Sequence, residues 1–176
     1  MDLSIRQETS SDYPAVFALI KSAFEQEVHS DHREQFLVER LRRSRAFIPA
    51  LSLVAECHGE LVGHILLTKI QIKNGEKVFP SLALAPVSVL PSQQGKGIGG
   101  KLIRAAHELA SSLGHQSIVL LGHAEYYPRF GYERADKYGI TLPFPAPAEN
   151  CLVIALVQDG LMGVSGQVEY PPTFFE

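Results

Sequence analysis

Apolar positions along this chain follow two spacings, one near 3.6 residues and one of 2, and the switches between them outline the elements. Leu3-Ser4-Ile5-Arg6 alternates as a short strand. Val16, Phe17, Ile20 and Phe24 then share one face of a helix opening around Asp12-Tyr13-Pro14, with Ser10 or Ser11 placed to cap it. A second helix is expected over Glu34 to Arg43, with Leu37, Val38 and Leu41 as its apolar side, after a polar segment from Glu25 to Arg33.

The spacing then changes to that of strands. Ser52 to Cys57, Leu61 to Ile72 and Val78 to Leu90 read as an antiparallel meander turned at His58-Gly59 and Asn74-Gly75. Pro86 cannot donate to a ladder, so it predicts a bulge or a break within the last of these strands. Such a break leaves Val87 and Val89 with free backbone groups, suited to pairing with an amide of a ligand. From Ile98 the positions Leu102, Ala106, Leu109 and Leu113 return to helical spacing, with Gly114 as the stop, and Ser117 to Leu121 forms a short buried strand. Strand, helix, strand implies a right-handed crossover and a parallel pair, so the sheet is mixed: antiparallel first, parallel at the helix. A last strand is expected over Leu152 to Gln158, and Gln167 to Tyr170 has the makings of an edge strand.

Composition narrows the class without naming a chemistry. The 176 residues are 45% apolar and 20% charged, with a formal net charge of -3, as in a globular chain lacking a nucleic-acid footprint. The length suits one domain, residues 1–176, with no repeat or linker. The basic run around Arg40, Arg42, Arg43 and Arg45 is interspersed with Glu34 and Glu39 and reads as a solvated helix face. Cys57 and Cys151 are the only cysteines, too few for a disulfide framework. No apolar run approaches the roughly 18 residues needed to cross a bilayer, and there is no secretory signal core, so a cytoplasmic location without membrane attachment is expected. His29-x-x-His32 with Asp31 lacks a further spaced ligand, and no metal site is expected.

The candidate chemistry lies in Gln93-Gln94-Gly95-Lys96-Gly97-Ile98-Gly99-Gly100-Lys101, between a strand and a helix. Glycines there let the backbone turn sharply, and the helix start behind them offers unpaired N–H groups to an anion. Three phosphate-binding patterns compete. Gly95 to Gly100 satisfies G-x-G-x-x-G, but Pro91-Ser92-Gln93-Gln94 separates the strand from the first glycine, and Leu120 stands where the ribose-binding acid is required. Gly95 to Lys101 begins G-x-x-x-x-G-K-[ST] and fails at Leu102, where a hydroxyl must hold Mg²⁺. Only [QR]-x-x-G-x-[GA], met by Gln94-Gly95-Lys96-Gly97-Ile98-Gly99, fits at every position.

This last pattern resembles the acyl-CoA loop of the GNAT superfamily of N-acetyltransferases. Tyr127-Pro128-Arg129-Phe130-Gly131-Tyr132 resembles that family's Y-x-x-x-G-[FY], one helix and one strand further on. The segment from Leu121 to Tyr132 is similar to a branch of small bacterial predicted acetyltransferases, as is the C-terminal Gly163 to Pro171. The resemblance implies an α/β fold with a mixed, mostly antiparallel sheet around a β-α-β acyl-CoA-binding core. It implies acetyl-CoA as the cofactor, with Val87, Ser88, Val89, Gln94, Gly95, Lys96, Gly97, Ile98, Gly99 and Gly100 as its binding residues, and transfer of acetyl to a small-molecule or peptide amine. No nucleic-acid partner is implied, and a homodimer is left open. A non-catalytic acyl-CoA binder is the alternative.

In the implied chemistry the amine attacks the thioester directly through an oxyanion. The backbone N–H of Val89 or its neighbour Ser88 is placed to stabilise that charge. Tyr127, with an ordinary pKa of about 10, is placed to protonate a departing thiolate of pKa about 8.5. An amine of pKa ~10.4 is uncharged only about once in 2,500 molecules at pH 7, a cost of roughly 4.6 kcal/mol, so a base or water chain is needed. His123, Glu125, Glu25 and His29 stay open for it. The chain lacks the family's Asn in N-x-x-A-x-x-x-Y; Gly122 and His123 occupy that neighbourhood.

Overall fold

A computed structural model describes residues 2–176. Strand β1, Leu3–Gln7, leads into helices α1, Tyr13–Phe24, and α2, Glu34–Arg42. Strands β2, Phe47–Cys57, β3, Glu60–Asn74, and β4, Lys77–Val89, form the meander. Helix α3, Ile98–Ser112, precedes β5, Ser117–Leu121. Short strands β6, Glu133–Arg134, and β7, Ile140–Thr141, are followed by β8, Cys151–Ala155, and β9, Gly166–Glu169.

The main path across the sheet is β1-β2-β3-β4-β5-β8-β6, with β9 pairing both β3 and β7. All neighbours are antiparallel except β4 with β5 and β7 with β9. The expected mixed sheet with a parallel pair at α3 is therefore present. Helix α3 covers one face, where Ile98, Leu102, Ile103, Ala106 and Ala110 pack on Ile65, Leu67, Leu82 and Ile118. Each large side chain so buried contributes about 1.5–3 kcal/mol. Helices α1 and α2 cover the other face, with Val16, Leu19, Ile20, Val38 and Leu41 against Val54 and Leu66.

Several boundaries differ from the expectation, each for a physical reason. The turn into α1 is capped by Thr9 and Asp12 rather than by Ser10 or Ser11: the Thr9 amide donates to the Asp12 carboxylate at 2.7 Å, and the Asp12 amide donates to the Thr9 carbonyl at 2.9 Å. Asp12 also takes a forked pair of bonds from Arg6, and that guanidinium, with Thr9, holds its carboxyl well below the usual carboxylate range. Strand β2 starts at Phe47, five residues before the expected Ser52. Pro49 interrupts the alternation there, and the pairing with β3 slips between Phe47 and Ser52. The hairpin after β3 turns on Gly75 and Glu76, since Asn74 pairs with Lys77. Strand β8 stops at Ala155 rather than Gln158.

Between the sheet and α2 lies a buried polar cluster. Arg42 binds Glu8 through two bonds, 2.6 and 3.1 Å, and Ser52 Oγ donates to the same carboxylate at 2.8 Å. His64 Nε2 lies 3.1 Å from Ser52 Oγ and 3.6 Å from Glu8. With its hydroxyl proton committed to Glu8, Ser52 receives a proton from His64, which assigns the Nε2–H tautomer. The cluster ties β1, β2 and β3 to the end of α2. A buried carboxylate and guanidinium are tolerated because each satisfies the other.

Burial, with Arg42 nearby, pushes the His64 imidazole down to about 3. The unfolded chain, near 6.5, therefore binds a proton that the folded protein refuses, and stability rises with pH between those values. The unfolding free energy from urea titrations should fall on acidification from pH 6.5 to 4.5, by at most about 1.4 kcal/mol per pH unit for this one group. His64→Gln should flatten that dependence, leaving the parts due to His107, which burial and Arg104 lower to about 4, and to His115, which burial and Lys69 also lower. An unaltered slope in the variant removes His64 from the account.

Candidate functional site

Strand β4 pairs with β3 on one side along its whole length, but with β5 on the other only at Leu82 and Ala83. The two strands then part. Two features hold them apart. Between Ile65 and Leu67 the β3–β4 register shifts, placing Ala85-Pro86 as the bulge that the proline predicts. At the end of β5 the chain turns away toward β8: the Gly122 amide donates to the Asn150 carbonyl at 2.9 Å, and Asn150 Nδ2 donates to the Gly122 carbonyl at 3.0 Å.

The register decides which amides face the gap. Leu90 donates its N–H to Val62 at 2.9 Å, so antiparallel alternation makes Ser88 and His64 the next hydrogen-bonded pair. The main-chain groups of Ser88 are thus spent on β3, whereas those of Val87 and Val89 point toward the missing neighbour. The Val89 carbonyl is met by Gln94 Nε2 at 3.1 Å, while its N–H stays directed into the gap.

At the mouth of the gap lies the glycine loop. Gly95 and Gly97 adopt φ of 78° and 82°, which a side chain would strain, and Gly97 is the N-cap residue of α3. Among the described residues the amides of Gly95, Lys96, Gly97, Ile98, Gly99 and Gly100 have no hydrogen-bond acceptor; the first bond of the helix runs from Lys101 to Gly97. A Cβ built on Gly95 or Gly97 meets nothing within 4 Å. Six consecutive donors beside open space, at the positive end of a 15-residue helix, suit a diphosphate.

Tyr127 lies in a short 3-10 turn, Tyr127–Phe130, and is 8% exposed. Its ring packs edge-on to Tyr126 and Tyr132, and burial, with Tyr126 beside it, raises its hydroxyl to about 12. Tyr126 is half-buried, and its hydroxyl stands 3.2 Å from the position of a Cβ on Gly99, with Val89 Cγ2 at 3.7 Å from the same point. The sequence reading passed over Tyr126 and Asn150. The doubled tyrosine could have signalled the first; nothing in the sequence signalled the second, which acts through folding distance.

The open candidates for the base are not gathered at one place. His123 and Glu125 lie exposed after β5, and Glu25 and His29 lie exposed between α1 and α2. Facing α1 and α2, His64 Nδ1 and Ser88 Oγ are buried without partners among the described residues, at paired positions of β3 and β4. No group of three or more metal-binding side chains occurs among the described residues. None of the described helices is long and apolar enough to cross a membrane.

Residues 4–135 match the family model of the acetyltransferase (GNAT) domain. The chain belongs to the GNAT family. An uncharacterized N-acetyltransferase, YjhQ of Escherichia coli K12, is 44% identical over 120 residues, which cover 67% of this chain and 66% of that protein. This GNAT chain thus spans just under two thirds of YjhQ. The crystal structure of the GNAT family N-acetyltransferase YhbS from Escherichia coli in complex with CoA superimposes with a TM-score of 0.88 at 27% identity, over 99% of this chain and 92% of that one. A GNAT family acetyltransferase from Brucella melitensis in complex with acetyl-CoA gives a TM-score of 0.80 at 33% identity, over 98% and 97%. The expected mixed fold of the GNAT family is borne out by these neighbours.

Gly122 is where this GNAT site has least room. A Cβ there would lie 2.4 Å from Tyr127 Cε2. Gly122→Ala should cost about 1–3 kcal/mol by overpacking. Adding Tyr127→Ala should remove most of that penalty, because the colliding ring is gone. Denaturant titrations of the two singles and the double measure the coupling, and additive losses would place the strain elsewhere.

Proposed function

We propose that this protein is an acetyl-CoA-dependent N-acetyltransferase that transfers acetyl to a primary amine by direct attack on the thioester. The parting of β4 from β5, with unpartnered amides from Gly95 to Gly100 at its mouth, is the observation that carries this reading. Bound acetyl-CoA supplies the activated acetyl group, and the residues of the chain bind, orient and move protons around it.

In this reading the amides from Gly95 to Gly100 hold the diphosphate, and the outward groups of Val87 pair with the pantetheine arm as a neighbouring strand would, beside Val89, whose carbonyl is held by Gln94. Ser88 lines the site without lending its amide. The Val89 N–H faces the carbonyl oxygen that gains charge, a role a fixed dipole performs without rearrangement. Tyr127 keeps its proton at neutral pH, since its hydroxyl is raised to about 12, and donates it to the departing sulfur. Gly122 and Asn150, in place of the family's side-chain asparagine, hold the turn on which Tyr127 is mounted.

Two measurements test this. Calorimetry should show acetyl-CoA binding to the wild-type protein, and Gly97→Ala should weaken it about 5- to 30-fold, because a free loop relaxed out of the left-handed region must regain it on binding at about 1–2 kcal/mol. Thiol release with a panel of amines should show turnover, and Tyr127→Phe should lower kcat about 10²-fold or more with binding of the cofactor retained. Binding without turnover on any amine would make the protein a carrier or sensor of acyl-CoA. No binding at millimolar cofactor would end the proposal.

A further inference from the structure

Positive charge gathers at the start of α3 in a chain that is acidic overall. Lys96, Lys101, Arg104 and Arg129 surround the loop, and among the described residues none of the four forms a salt bridge with a carboxylate. Lys96 is held by Gln93 Oε1 at 3.1 Å, and Arg129 donates to the Tyr126 carbonyl at 2.9 Å while lying 4.7 Å over the Tyr126 ring.

Arg104 is stacked as Arg129 is, but of the four it alone closes on Gly100. Its guanidinium lies 4.8 Å over the Phe130 ring, and its Nη1 is 3.2 Å from where a Cβ of Gly100 would stand. Phe130 Cε1 and Cζ approach the same point at 3.4 and 3.5 Å. A side chain at position 100 would therefore push the arginine off the first turn. The phosphate pattern does not require the second glycine of Gly99-Gly100, but this contact does. Stacking occupies a face of the guanidinium and leaves its forked edge donors without a carboxylate partner among the described residues, beside the first turn of α3.

Resting on the acetyl-CoA reading above, we propose that Arg104, stacked on Phe130 over Gly100, is a specificity-determining residue for the ribose 3′-phosphate of coenzyme A. The loop amides and the helix end already match the diphosphate. The remaining charge of the coenzyme is a phosphomonoester, and a planar fork is suited to its two oxygens. Arg104 thereby separates coenzyme A from its dephosphorylated form and from other diphosphates.

The test compares CoA with 3′-dephospho-CoA by calorimetry on the wild-type protein and on Arg104→Gln. Wild type should bind CoA roughly tenfold to a hundredfold more tightly than dephospho-CoA, and the variant should lose that preference by weakening CoA alone. Equal loss for both ligands would move Arg104 to the diphosphate and overturn the inference, as would an unaltered preference in the variant. Arg104 is exposed, so the variant should fold, which a thermal melt checks. Should it not fold, equal affinity of the wild type for the two ligands overturns the inference by itself. Failure of the wild type to bind either ligand would instead sink the acetyl-CoA reading.

Discussion

Main-chain hydrogen bonds that β4 does not complete within the chain are the constraint around which the site is arranged. Ordinarily a central strand pairs on both edges, and an unpaired buried group costs about 1–3 kcal/mol. Here the outward groups of Val87 and Val89 lose their neighbour because β5 ends at Leu121 and Gly122 is drawn to Asn150. The bulge at Ala85-Pro86 re-aims the same stretch. The gap has the shape of a missing strand, which suits the extended, amide-bearing arm of the proposed cofactor. Side chains along the gap need be only small enough to leave room.

The opposite face of the sheet keeps that arrangement rigid. Glu8, Arg42, Ser52 and His64 join three strands to α2 through bonds that all lie in the interior. Removing one partner from such a cluster leaves a buried charge uncompensated, at about 3–5 kcal/mol, so the end of α2 is fixed against β3. The parting of β4 and β5 then occurs against a braced neighbour. On the α3 face the bracing is apolar apart from the contact of His107 Nε2 with the Tyr132 hydroxyl at 2.9 Å, and the free amides gather at the first turn, the proposed anion site.

How much of this the sequence made legible depended on whether a signal was local. The glycine loop, the helix behind it and the bulge or break at Pro86 each follow from residues within a few positions, and all were readable. The two-residue strands β6 and β7 were not, because two residues carry no alternation, and their pairing is decided by β8 and β9. Half of β2 was hidden by Pro49, which edge irregularity tolerates. In the site, the partition of Ser88 from Val87 and Val89 needed the β3 register, which a one-residue slip would have inverted. Asn150 meets Gly122 from 28 positions away, and no pattern in either neighbourhood announces the meeting.

The burial of Tyr127 bears on the proposed proton transfer in a way that the amino-acid type alone does not. A hydroxyl raised to about 12 is a weak acid beside a thiolate whose ordinary pKa is about 8.5, and with the thiol left at that ordinary value the transfer would be uphill by roughly 5 kcal/mol. The departing sulfur, however, would be released into the same gap. Desolvation penalises a thiolate as it penalises a phenolate, so both pKa values rise and their difference shrinks. What sets the rate is then the shared environment and the distance between donor and sulfur. Tyr126 is half-buried with its hydroxyl beside Gly99 and Val89, and the proton is assigned to Tyr127 because that residue opens the Tyr127 to Tyr132 pattern.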